Sequence, residues 1–138
     1  MKRLTPILVP LKGHDSFKRV LGKATIVRTN NFLGAFVPNT SNIVTVSFGI
    51  SVPKRHAKKA VVRNRTKRLI KESLISLAQN EKEKLLTFEE FVLIRTVKLP
   101  SHPKLVRLDE VKSEIFALFD KAVMRIGQNN ETHTNRID

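Results

Sequence analysis

From Ile43 to Val52 apolar and polar residues alternate, with Val44, Val46, Phe48, Ile50 and Val52 on one side and Thr45, Ser47, Gly49 and Ser51 on the other. A period of two predicts a strand with one buried face and one small, polar face. Pro53 closes it, and beyond the basic loop Lys54 to Lys59 the period changes. With Val62 at zero on a wheel of roughly 100° per residue, Thr66, Leu69, Ile70, Ser73, Leu74 and Leu77 gather on one side. That stripe predicts a helix to about Ala78, docked on a sheet. Gln79 to Lys84 finishes or follows it.

The flanking segments complete a domain. The stretch to His14 reads as extended and partly ordered, interrupted by Pro6 and Pro10. Asp15 or Ser16 caps a short helix, Phe17 to Leu21, which Gly22 ends. Ala24 to Arg28 and Phe32 to Val37 are strands rich in β-branched and aromatic residues, joined by a turn at Asn30 and Asn31. Pro38 to Asn42 is a loop. Phe91 to Val97 contains the continuous apolar run of a buried strand, and Pro100 and Pro103 mark the next loop. Asp109 caps a last helix with a stripe of Val111, Ile115, Leu118, Phe119, Ala122 and Ile126; Gly127 ends it. The expected pattern is α-β-β-β-α-β-α: a single α+β domain over residues 11–126 with a four-stranded sheet, a flexible segment 1–10 and a disordered tail 127–138.

Charge then changes the picture. The chain of 138 residues carries a formal charge of +14, which implies an anionic partner. Between Ser16 and Lys71 there are 13 Lys or Arg and no acid, whereas Glu72 to Asp138 holds 10 Lys or Arg against 11 acids. On the helix after Pro53, Asn64, Lys67, Arg68 and Lys71 lie opposite the apolar stripe, with Arg63 and Arg65 on the flanks. Arg63 with Lys67 and Lys67 with Lys71 are like-charge pairs one turn apart, each costing a few tenths of a kcal/mol. A solvated face would mix signs. This ridge suits a partner that supplies the negative charge.

Enzymatic chemistry finds little footing. His14, His56, His102 and His133 are scattered, and Asp15 is the sole acid before Glu72, so neither a metal site nor paired carboxylates are expected in the basic half. There is no Gly-rich phosphate loop. His56 beside Lys58 and Lys59 fits a phosphate contact better than a catalytic base. The absence of Cys suits a reducing cytoplasm, no apolar run approaches the roughly 18 residues of a membrane span, and no removable signal is expected.

GISVPKR, then a short basic loop and AVVRNRTKRLIKESL, resembles the protein subunit of bacterial ribonuclease P. That family has a strand ending S-V-x-K-K/R and a helix opening R-N-R-x-K-R. Phe17, the hairpin, the FVLIRT strand and the closing helix agree in order, so the likeness covers about residues 11 to 126. It implies a fold like the second domain of ribosomal protein S5, in which the basic helix joins two parallel strands by a left-handed connection, against the usual hand. It also implies a function. With a catalytic RNA that uses Mg²⁺, the protein assists endonucleolytic removal of the 5′ leader of precursor tRNA, and no obligate protein partner is implied.

The resemblance assigns two surfaces. The catalytic RNA is expected on Arg63, Asn64, Arg65, Lys67, Arg68 and Lys71, extended by Lys54, Arg55, Lys58 and Lys59, with Arg forking onto phosphates and Lys acting as a point charge. The leader is expected in a cleft between the first helix and the sheet, at Phe17, Lys18, Leu21, Phe32, Phe36 and Ser51. Leu21 stands where an aromatic is often found and Ala35 where a Tyr often lies, so Phe36 is the candidate substitute; alternatively Phe17 and Phe32 are core. The glycine common in the loop after the strand is replaced by His56-Ala57-Lys58-Lys59. A ribosomal or RNA-chaperone protein would share the charge and fold class but not need R-N-R-x-K-R at this place. A membrane-binding helix would expose the apolar residues that the sheet requires.

Overall fold

The alternating stretch forms a strand, Thr45–Ser51, at the centre of a run of elements. Before it come β1 (Ile7–Pro10), α1 (His14–Lys23), β2 (Thr25–Arg28) and β3 (Phe32–Pro38). It is β4, and after it come α2 (Ala60–Asn80), α3 (Lys82–Leu86), β5 (Phe88–Arg95), a 3-10 turn Pro103–Leu105 and α4 (Leu108–Ile137). This computed structural model describes residues 5–137, with side chains to Gly127. The sheet has five strands in the order β1-β4-β5-β3-β2. β1 and β5 run parallel to β4, and β3 is antiparallel to both β5 and β2.

The fifth strand corrects the expectation of four, and it lies in the segment expected to be flexible. Pro6 and Pro10 hid it. The amides of Ile7 and Leu11 donate to Val44 and Phe48 at 2.8 and 2.7 Å, so by alternation the nitrogen of Pro10 faces away from β4. An edge strand tolerates proline there because no ladder bond is lost.

Register sorts the side chains into two layers. One face of the sheet holds Phe36, Phe91, Phe48 and Val46, covered by α2 and α4. All seven residues of the α2 stripe are buried, Val62, Thr66, Leu69, Ile70, Ser73, Leu74 and Leu77, and so are all six of the α4 stripe. The Thr66 and Ser73 hydroxyls donate to the carbonyls one turn earlier, at 2.9 and 2.8 Å, which removes the cost of burying them. The other face is smaller: Ala35, Val37 and Val92 take Val20 of α1.

Helix limits differ from expectation at glycines. α1 starts earlier, at His14, after Gly13 at φ 85°; a left-handed residue costs glycine little, and no side chain caps the helix. Gly22 lies inside α1, and α4 runs through Gly127 to Ile137 rather than giving way to a tail. Neither glycine has positive φ, so neither makes the left-handed stop that terminates helices, and a mid-helix glycine costs only about 1 kcal/mol. Ile126 is the last buried residue among the described side chains. β5 begins at Phe88, earlier than its apolar run suggested, because Phe88 and Glu90 continue the ladder opposite Pro38 and Val37, with a register shift between those two pairs.

Gly34 sits where a Cβ would run into the ring of Phe36 and lie 3.1 Å from Leu118. Both neighbours are fully buried, so Gly34→Ala is expected to destabilise the domain by about 1–3 kcal/mol through overpacking. A denaturant melt checks this by the shift in midpoint.

Candidate nucleic-acid interface

The basic ridge is positioned by the buried side of α2. Leu69, Ile70 and Leu74 hold one side against the sheet, which fixes Asn64, Arg68 and Lys71 in solvent and leaves Lys67 half-buried. Five ion pairs occur among the described residues, and all use cations outside residues 54–71. The ridge is thus uncompensated by the protein itself, and its self-repulsion is relieved only by solvent, salt or an external anion.

The two flanking arginines do more than face outward. Arg63 Nη1 donates to the carbonyls of Ala57 and Lys58 at 2.8 and 2.9 Å, drawing the basic loop under the start of the helix. Arg65 Nε donates to Val106 O at 3.0 Å and ties α2 to the segment before α4. Both remain partly exposed. Lys54, Arg55, Lys58 and Lys59 are exposed beside the loop, so the structure brings the whole expected basic set to one end of α2.

The second surface lies where α1 crosses the other sheet face. The Phe17 ring rests on Gly49: a Cβ there would lie 2.6 Å from its Cζ. Only glycine permits this approach, which explains the small residue on β4. Ser47 and Ser51 flank it on the same face, half-buried. Register adds Val9 of β1 beside Ser47, and Val9 is exposed. Leu21, one turn after Phe17, and Lys18 are exposed on α1.

Phe32 and Phe36 do not belong to this cleft. They are 1% and 0% exposed and lie in the core on the opposite face. The pairing of Phe36 with Phe91 and of Ala35 with Val92 sets this sidedness. Phe36 therefore cannot replace the missing aromatic. Phe17 is the aromatic of the cleft, with aliphatic neighbours.

One anchor of α1 escaped sequence reading. Arg19 donates both guanidinium nitrogens to Glu90 of β5, at 2.8 and 2.5 Å, and Lys23 approaches the same carboxylate at 3.3 Å. The hydrogen bond from Arg19 holds the Glu90 carboxyl below its ordinary range, outweighing partial burial. A depressed carboxylate stabilises the fold above its unfolded pKa, and that stabilisation is lost as pH falls through the folded one. Glu90→Gln is accordingly expected to lower the melting temperature at neutral pH, with the difference vanishing in acid. A gap that persists below the carboxylate range would assign Glu90 a role independent of its charge. One of two adjacent acids in a strand, Glu90 gave no sign of Arg19, its partner 71 residues away. Glu114 was equally hidden: it accepts from Thr29 Oγ1 and from Asn31 N and Nδ2 at 2.6–3.1 Å, pinning the β2–β3 turn to α4.

A concavity of about 660 Å³ adjoins that turn and is lined by three acids, Asp109, Glu110 and Glu114, and one cation, Lys121, a setting of net negative charge that disfavours a polyanion. Among the described residues no group of three or more His, Asp or Glu is placed to hold a metal ion. No described helix is long and apolar enough to cross a membrane.

The sequence model of the family described as Ribonuclease P matches residues 8–123, spanning both surfaces. This chain belongs to the ribonuclease P protein family. Solved structures of similar fold include the RNase P protein of Staphylococcus aureus, 23% identical over 82% of this chain and 94% of that one, with a TM-score of 0.62. The RNase P protein from Thermotoga maritima is 21% identical over 81% and 96% of the two chains, with a TM-score of 0.64. No curated relative matches the chain. Ribonuclease P membership accounts for the R-N-R helix after the S-V-P-K-R strand end.

Proposed function

We propose that this chain is the non-catalytic protein subunit of a bacterial ribonuclease P, cytoplasmic, binding the catalytic RNA through α2 and the 5′ leader of precursor tRNA through the α1 cleft. The observation that carries the reading is the uncompensated ridge of Asn64, Lys67, Arg68 and Lys71 on a helix whose other side is committed to the core. The RNA holds the Mg²⁺ and performs the hydrolysis, leaving a 5′-phosphate on the tRNA. The protein contributes positive charge that lowers RNA–RNA repulsion and a groove that fixes the leader.

In the cleft, Phe17 offers a face for one base, and Ser47 and Ser51, half-buried on either side of the glycine that Phe17 covers, let the strand approach the sheet closely. Lys18 supplies a phosphate contact from α1. Base stacking on an aromatic contributes about 1–3 kcal/mol, so Phe17→Ala is expected to reduce the preference of the assembled complex for leader-bearing over mature tRNA by roughly five- to a hundredfold, with affinity for the catalytic RNA retained. Competition binding with the two tRNAs checks this. Equal loss for both would make Phe17 a packing residue only.

A further inference from the structure

A pocket of about 260 Å³ opens between the basic loop, the start of α2 and the segment after β5. Its floor is apolar: Ala57, Val62 and Leu99, each no more than 7% exposed, with Pro100 beside them. Its rim carries Arg55, Lys58, Lys59 and Lys98, all exposed and none in an ion pair among the described residues. Ser101 and His56 bring polar atoms to the wall.

The pocket is held open by ties within the protein. His56 N and Ala57 N donate to Pro53 O and Lys54 O at 3.0 and 3.2 Å, closing the loop on itself. Leu99 N donates to His56 O at 2.8 Å and joins the two walls. Arg63 grips the carbonyls of Ala57 and Lys58 from behind. A surface meant only to repel solvent or attract phosphates needs no such construction.

We infer that this pocket receives one unstacked nucleotide of the bound RNA, its base on Val62, Leu99 and Pro100 and its phosphate among Lys58, Lys59 and Lys98. The inference rests on the functional reading above and adds to it a base-contacting site on the α2 side. Three features select this ligand. The rim cations call for an anion, and the apolar floor excludes a bare phosphate as the full occupant. The volume, below the roughly 300–1,000 Å³ of common ligand pockets, admits one base and not a stacked pair. Single bases turned out of a helix are what proteins recognise in RNA with least competition from pairing.

Two experiments decide it. In methyl-labelled protein, the four nucleoside 5′-monophosphates are titrated against ribose 5-phosphate. Saturable shifts at the methyls of Val62, Leu99 and Ala57 with a nucleotide and not with ribose 5-phosphate support the pocket; the same shifts with both probes, or none with either, overturn it. In the second, Ser101→Cys introduces a single thiol into a chain that has none, and a photoreactive group attached there is irradiated in the complex with a ribonuclease P RNA. Crosslinks concentrated on one unpaired nucleotide, with yield lowered about fivefold by Lys98→Ala as one phosphate contact is lost, support the proposal. Crosslinks spread along helical RNA overturn it. Failure to form the complex overturns the functional reading instead, and the monophosphate titration still decides the pocket.

Discussion

Replacing Lys67, Arg68 and Lys71 together by Ala is expected to weaken binding to ribonuclease P RNA by about two to three orders of magnitude near 0.1 M salt. Each side chain that neutralises one phosphate releases about one counterion, so the slope of log affinity against log salt is expected to flatten by about two to three units. These residues are chosen over Arg63 and Arg65 because those two also hold the basic loop and the segment before α4, and losing them would confuse contact with folding. None of the three has an ion-pair partner among the described residues. The triple variant should therefore melt no lower than the parent, since like-charge repulsion on α2 is relieved. Salt titrations of binding, with a thermal melt beside them, check both halves. Unchanged affinity and slope would remove the ridge from the interface.

Phe36→Ala is expected to cost about 3–5 kcal/mol of stability, a large part of the 5–15 kcal/mol typical of a domain. Its ring lies 4.7, 5.1 and 5.9 Å from the rings of Phe88, Phe119 and Phe91, centroid to centroid. β3, β5 and the last helix therefore meet at this one side chain, and truncation leaves a cavity among fully buried neighbours. The variant's remaining folded fraction should keep full discrimination between leader-bearing and mature tRNA, because the ring faces away from α1. Urea melts and competition binding check this pair of outcomes. Lost discrimination at retained stability would return Phe36 to the cleft.

The contrast between Phe17 and Phe36 shows where sequence reasoning reached and where it stopped. The α2 stripe was legible because polar and apolar positions on that helix separate cleanly, and the same separation made the basic ridge visible. β3 reads FLGAFVP, with apolar residues on both faces, so periodicity could not say which face Phe36 takes. The answer lies in its partner, Phe91, on a strand far along the chain. β1 was hidden because Pro6 before it and Pro10 at its end deny the local signal of a strand, although an edge position costs Pro10 nothing. Arg63 and Arg65 were expected as RNA contacts from the resemblance of the R-N-R helix, while the wheel put them only on its flanks. Their carbonyl partners at Ala57, Lys58 and Val106 depend on the folded path of two loops, which no spacing encodes.

The cleft reads only in part for the same reason. Phe17 and the small face of β4 were both visible, yet the fit of ring to glycine is a tertiary fact. Glu90 follows Glu89 near the start of β5 and would have passed for a solvated residue. Its two cations come from α1, and together they orient the helix that carries Phe17. The pocket beside Lys98 drew no notice because its walls come from segments about 40 residues apart that meet only through the Leu99 to His56 hydrogen bond.

The most direct test of the central claim is cleavage of a precursor tRNA by a bacterial ribonuclease P RNA at low Mg²⁺, with and without this protein. The account predicts that the protein restores cleavage at the mature 5′ end. RNA binding without any stimulation of cleavage would contradict it and leave the ridge as the surface of a different RNA-binding protein.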